Sequence, residues 1–178
     1  MVMDFKIFGN KKSEIIRYIR YSIALLLLSV IHLTFLDLIS VGGLTPDLIL
    51  ILCVWIALKE GRFVGISAAF ICGIFFDIVS LDVIGMNALS KTLAAFFAGS
   101  FYREGHSDEI IGSFLFLIIV LSSALLNNLV YFFFYLKPSE ATLITFFLKY
   151  GLASALYTTL LAIFPLFVKI PKKGYRPI

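Results

Sequence analysis

Charge is scarce in this 178-residue chain. Only 15% of its residues are Asp, Glu, Lys or Arg, 61% are hydrophobic, and mean hydropathy is +1.02. A water-soluble domain of this size needs more polar surface to cover its core, so that class is excluded. Cysteine is nearly absent. Cys53 and Cys72 both fall in apolar runs, where each reads as a small core residue and not as a disulfide or metal partner. There is no HExxH, GxSxG, Walker loop or CxxC, so no catalytic constellation is expected, and no cofactor or metal. Long polar segments are missing too. The longest polar connection, residues 103–109, is too short to fold alone.

What fills the chain is apolar sequence of lipid length. A hydrocarbon core of roughly 30 Å needs about 20 helical residues at about 1.5 Å each. Six runs qualify as spans: 21–40, 44–58, 62–80, 84–102, 110–136 and 142–168. They are continuous and do not alternate, which points to helices and not to a barrel. The expected fold is therefore all-α, a polytopic integral membrane protein with six transmembrane helices. The second run is short, and Pro46 is expected at its first helical position.

Basic residues orient the spans. With the N-terminus inside, the inner segments hold twelve of the fifteen Lys and Arg, and the outer connections hold only Lys137. Lys91 and Lys149 lie within spans. By the positive-inside rule both ends are cytoplasmic. The organisation is a basic tail at 1–20, a membrane domain at 21–168 and a basic tail at 169–178. About twenty residues precede the first run, which is too long for a signal h-region, so a cleaved leader is not expected. The net charge of +4 sits beside span ends, where it meets the lipid bilayer and not nucleic acid.

Gly61, Gly65, Ala69, Gly73 and Asp77 recur every four residues through the third run, and make one shallow ridge on a helix. Small residues there let a neighbouring backbone approach closely. The ridge suits packing inside the bundle, or a docking face for a partner's helix. Tyr131, Phe132, Phe133, Phe134 and Tyr135 at one end of the fifth run, and Tyr18, Tyr21, Tyr102 and Tyr175 at inner ends, read as aromatic anchors.

Ionisable groups inside a membrane are costly and face the bundle interior. Here they gather in the outer half together with polar amides: Asp77, Asn87, Lys91, Asn127, Asn128 and Lys149, with Asp37, Asp47 and Asp82 at the loops. The inner half is nearly without them. Asp77 could pair with Lys91 or with Lys149. The cluster reads either as lysines snorkelling to headgroups or as a polar pocket or partner contact open to the outside. His32, mid-span, is expected to bond a neighbouring helix.

Four pieces in order carry a family resemblance. They are Thr45-Pro46-Asp47-Leu48, then Glu60-Gly61-Arg62 with Gly65, then Gly73-Ile74-Phe75-Phe76-Asp77, then Gly85-Met86-Asn87-Ala88-Leu89. This set resembles the MreD family of bacterial rod shape-determining proteins. The resemblance implies a non-catalytic protein of the bacterial cytoplasmic membrane, within the elongation complex that directs lateral peptidoglycan synthesis. Its implied partners are the single-span scaffold MreC and, indirectly, MreB, RodA and the elongation transpeptidase. The roles it implies are a helix-opening Pro46, close packing at Gly65 and Gly73, an outer-end acid at Asp77, and Gly85 with Asn87 at a turn. Gly61, Gly65, Ala69, Gly73 and Gly85 are taken as helix-packing positions. Pro46, Asp47, Asp77, Asn87, Lys91, Asn127 and Lys149 are the candidate contacts with a partner or ligand. In size and span count the chain also resembles the six-helix S components of vitamin transporters, so an S-component-like bundle binding a small molecule is the alternative. Those proteins commonly carry Ala-x3-Ala on the first helix. Here Leu28 follows Ala24.

Overall fold

The computed structural model describes residues 2–39, 45–81, 83–135 and 147–167. Asp82, Lys137, Tyr175, the side chain of Asp37 and the tail 169–178 lie outside what is described. All regular structure among the described residues is helical. The helices are α1 (Val2–Ile39), α2 (Leu48–Glu60), α3 (Arg62–Ser80), α4 (Met86–Gly99), α5 (Ser107–Ile111) and α6 (Phe114–Tyr135). A π-helical turn (Phe147–Gly151) then leads into α7 (Leu152–Leu161) and α8 (Ile163–Phe167).

Four stretches are long and apolar enough to cross a membrane: Glu14–His32, Arg62–Ser80, Phe114–Phe134 and Phe147–Pro165. The runs expected as the second and fourth spans form shorter helices. At about 1.5 Å per residue, α2 and α4 are each roughly 20 Å long. Their ends have local causes. Asp47, and not Pro46, opens α2. Its backbone is extended and its carboxylate Oδ1 accepts from the Leu50 N–H at 2.9 Å, so the helix starts one residue after the acid. Pro46 stands just outside the cap, a correction to its expected place as first helical residue. Gly61, at φ 95°, separates α2 from α3. The run expected at 110–136 breaks at Gly112 and Ser113, where Ser113 Oγ donates to the Ile110 carbonyl at 2.8 Å. The last run turns at Ala162, because Pro165 has no N–H for the Leu161 carbonyl. At the other end, α1 carries its helix through residues 2–20, the stretch expected as a tail.

The two short helices form the centre. Ile49, Leu50, Cys53, Val54, Ala57 and Leu58 of α2 are fully buried, and Ala94, Ala95 and Ala98 of α4 join them. A helix apolar all round belongs in an interior. α2 touches α1, α3, α4, α5, α6 and α7. By contrast, the spanning stretch of α1 is 6% buried, against 33% for those of α3 and α6.

The ridge on α3 is taken up inside the chain. Gly61, Gly65, Ala69, Gly73 and Asp77 are all buried. A Cβ on Gly65 would come within 2.5 Å of the Ala57 Cα, and one on Gly73 would collide with the backbone of Ala88. The ridge thus faces α2 over one half and α4 over the other. Gly85 is different. A Cβ there meets open space, and its φ of 102° is what requires glycine. Gly85 is therefore a turn residue, and its expected helix-packing role is corrected.

Candidate functional site

The polar residues of the central layer are joined in one network. Asp77 is fully buried near the end of α3. Its carboxylate accepts backbone N–H bonds from Gly85 at 2.8 Å, Asn87 at 3.1 Å and Ala88 at 3.3 Å. These are the cap and first-turn amides of α4, whose own cap residue Gly85 has no side chain to satisfy them. A carboxylate from the neighbouring helix supplies both the missing acceptors and a charge suited to the positive end of the α4 dipole. Among the described residues, backbone amides and not an ammonium therefore balance Asp77.

Asn87 passes the network on. Its side-chain oxygen accepts from Lys91 Nζ at 2.8 Å, one turn along α4. Lys91 is 0% exposed, and its second bond goes to Asp47 Oδ2 at 2.6 Å. The ammonium also stands over the Phe76 ring, 5.5 Å from its centre. Of the two pairings open at the sequence level, neither forms: among the described residues the ion-pair partner of Lys91 is Asp47. His32 reaches the same layer from α1, with its ring edge-on to Phe76 at 4.7 Å.

Asp47 ties in a fourth element. Its backbone N–H donates to Thr158 Oγ1 on α7 at 2.9 Å, and Ser154 Oγ, one turn earlier on α7, donates to the Thr45 carbonyl at 2.9 Å. The stretch 45–47 is thereby pinned between α7 and α4. Pro46 is buried there without an N–H to satisfy. Thr158 and Ser154 were missed from sequence. Their signal was an i, i+4 polar pair on one face of an apolar run.

Two expected site residues fall elsewhere. Asn127 is buried on α6 and donates through Nδ2 to Asn128 Oδ1 at 3.3 Å, while Asn128 donates to the Gly151 carbonyl at 2.9 Å. Lys149 is exposed on the π turn, with its ammonium 5.3 Å from the centre of the Tyr150 ring. Neither is bonded to the Asp47–Lys91 pair.

A second polar group, not expected, holds the other end of α2. Glu60 accepts from Tyr21 Oη at 2.7 Å and pairs with Arg17 Nε at 3.2 Å, both from α1. Lys59 pairs with Asp108 of α5. Tyr21, expected as an aromatic anchor, is thus a hydrogen-bond donor to a carboxylate. The half of the bundle expected to lack such groups carries this one at its rim.

No nucleophile–base pair is assembled by these contacts. Each buried charge is committed to a neighbouring helix. The molecule these features define is a helical membrane protein with several apolar helices of spanning length, whose polar core fastens helices together. The sequence matches the family described as rod shape-determining protein MreD over residues 13–170, and the chain belongs to that family. Its class is that of non-catalytic, shape-determining membrane proteins of bacteria. No curated protein and no solved structure matches it.

Proposed function

We propose that this chain is a non-catalytic membrane component of the bacterial elongation complex, and that it binds an MreC-like single-span scaffold protein in the cytoplasmic membrane. Through that scaffold it reaches MreB, RodA and the elongation transpeptidase, and helps regulate lateral wall synthesis. In this reading the chain crosses the membrane six times with both ends cytoplasmic, and α2 and α4 are the short central spans. The Asp47–Lys91 end of α2 then faces outward and the Glu60 end inward. Membership of the MreD family supports the role. The observation that carries it is that the buried acid Asp77, the half-buried acid Asp47 and the buried base Lys91 are consumed by contacts within the chain. That leaves a rigid bundle that acts through its surface, and it disfavours an open pocket for a small molecule.

Purification of the full chain from its own membranes in mild detergent tests this. A stoichiometric single-span partner with a large extracytoplasmic part is the expected companion. Recovery of the chain alone with an equimolar vitamin-like molecule would overturn the scaffold reading and install the transporter one.

A further inference from the structure

The ion pairs among the described residues engage Arg17, Lys59 and Lys91. Arg62, the first residue of α3, is in none of them. It is nevertheless held in place. Its backbone lies against Gly99 of α4, where a Cβ would come within 2.7 Å of the Arg62 Cα, so the two helices touch at this point. From there its guanidinium lies over the Phe96 ring, 5.0 Å from the centre. Arg62 is exposed, Phe96 is 48% exposed and Phe63, next in sequence, is 85% exposed. Arg103 follows in sequence the residue that packs on this corner: the Tyr102 ring lies against Gly61, with a contact of 3.5 Å to a Cβ built there, and Arg103 is exposed. The nearby acids do not neutralise this corner. Glu60 is bound to Arg17 and Tyr21, and Asp108 to Lys59. Glu104 and Glu109 are exposed and form no ion pair with either arginine among the described residues.

A guanidinium stacked on a ring keeps its N–H edges free in its own plane, and that fork matches two oxygens of a phosphate. We infer that Arg62, seated on Phe96 and assisted by Arg103, binds the phosphodiester headgroup of an anionic phospholipid. The rings decide the source of the phosphate. Phe96 lies under the cation and Phe63, next in sequence to it, is widely exposed; both need apolar cover, which acyl chains supply and a free phosphate does not. The inference rests on the proposed topology, which sets this end of α3 at the cytoplasmic leaflet, where anionic headgroups and basic side chains attract.

The full chain in mild detergent is titrated with phosphatidylglycerol or with phosphatidylcholine of the same acyl chains, and bound lipid is counted by native mass spectrometry. Phosphatidylglycerol is expected to be retained preferentially. Arg62→Gln should weaken it roughly five- to tenfold without changing phosphatidylcholine retention. Arg62→Lys, which keeps the charge but loses the fork, should fall between. Arg103→Gln should cost less than Arg62→Gln, and Lys149→Gln nothing. Phe96→Leu, which leaves the Arg62 backbone undisturbed, should also lower retention, and it decides the matter if Arg62→Gln unfolds. Equal retention of both lipids by the unaltered chain, or of phosphatidylglycerol by Arg62→Gln and Phe96→Leu, would overturn the site. Displacement of the lipid by inorganic phosphate would overturn the lipid as occupant. Recovery of the single-span partner is expected to survive Arg62→Gln, so failure here and failure of the scaffold role read out separately.

Discussion

The two ends of α2 are fastened by the same kinds of group in different surroundings. At the Asp47 end the base is sealed: Lys91 is wholly buried, and its acid, 18% exposed, also caps the helix and reaches α7 through its backbone. At the Glu60 end the pairs are looser. Lys59 and Asp108 are about a third exposed and Arg17 lies partly in solvent, although the Glu60 carboxylate itself is enclosed. The lesson is about dielectric. In an interior, a charge left alone is severely penalised, so neither partner of the sealed pair can leave without the other. At a wetted rim, solvent screens and replaces the partner, and the same contact contributes little. The Lys91 contact at one end of α2 is locked and the Lys59 contact at the other is adjustable.

The sharpest way to break this contrast is to remove one charge from the locked end. Lys91→Met should lower stability by about 3 kcal/mol, because it leaves the largely enclosed Asp47 carboxylate without its partner. Chemical unfolding in detergent would measure it. Adding Asp47→Asn should recover most of that loss, since asparagine still caps α2 and carries no charge. A Lys91→Met chain as stable as the original would erase the difference between the ends.

Asp77 sets an intermediate case, a buried charge held by amides alone. Asp77→Ala should cost about 2 kcal/mol, leaving three α4 amides without their acceptor. Hydrogen exchange at Gly85, Asn87 and Ala88 should rise, and unchanged protection there would remove the cross-helix cap. The smallest effect is expected at the loose end. Lys59→Ala should change stability by less than about 1 kcal/mol, and added salt should shrink even that. A loss at Lys59 as large as at Lys91 would show both ends to be locked.

Much of the fold was legible in the chain. The helical class followed from continuous apolar runs, and α3 spans 62–80 as read from sequence. The four-residue spacing of Gly65, Ala69 and Gly73 placed a close-packed seam on that helix. The site was legible only as a population. Asp47, Asp77, Asn87 and Lys91 were marked as one polar layer, but their pairing was not. The start of α2 and both ends of α4 were read too far out, because Asp47 and Gly85 cap the helices inside the runs and α4 stops at Gly99, while α2 runs on to Glu60, past the expected 58. Glu60 and Tyr21 were read by residue type, as a motif piece and an anchor, when position made them partners.

By itself, then, the sequence determined the membrane habitat, the helical class, the family and the small-residue seam. All of these depend on composition or on spacing along one helix. Only the tertiary structure decided that Lys91 belongs to Asp47, that Asp77 caps α4, and that α2 lies at the centre with its ends held by different means. A buried charge must find its partner across helices, and which residue stands within 3 Å of it is set by packing of segments far apart in the chain.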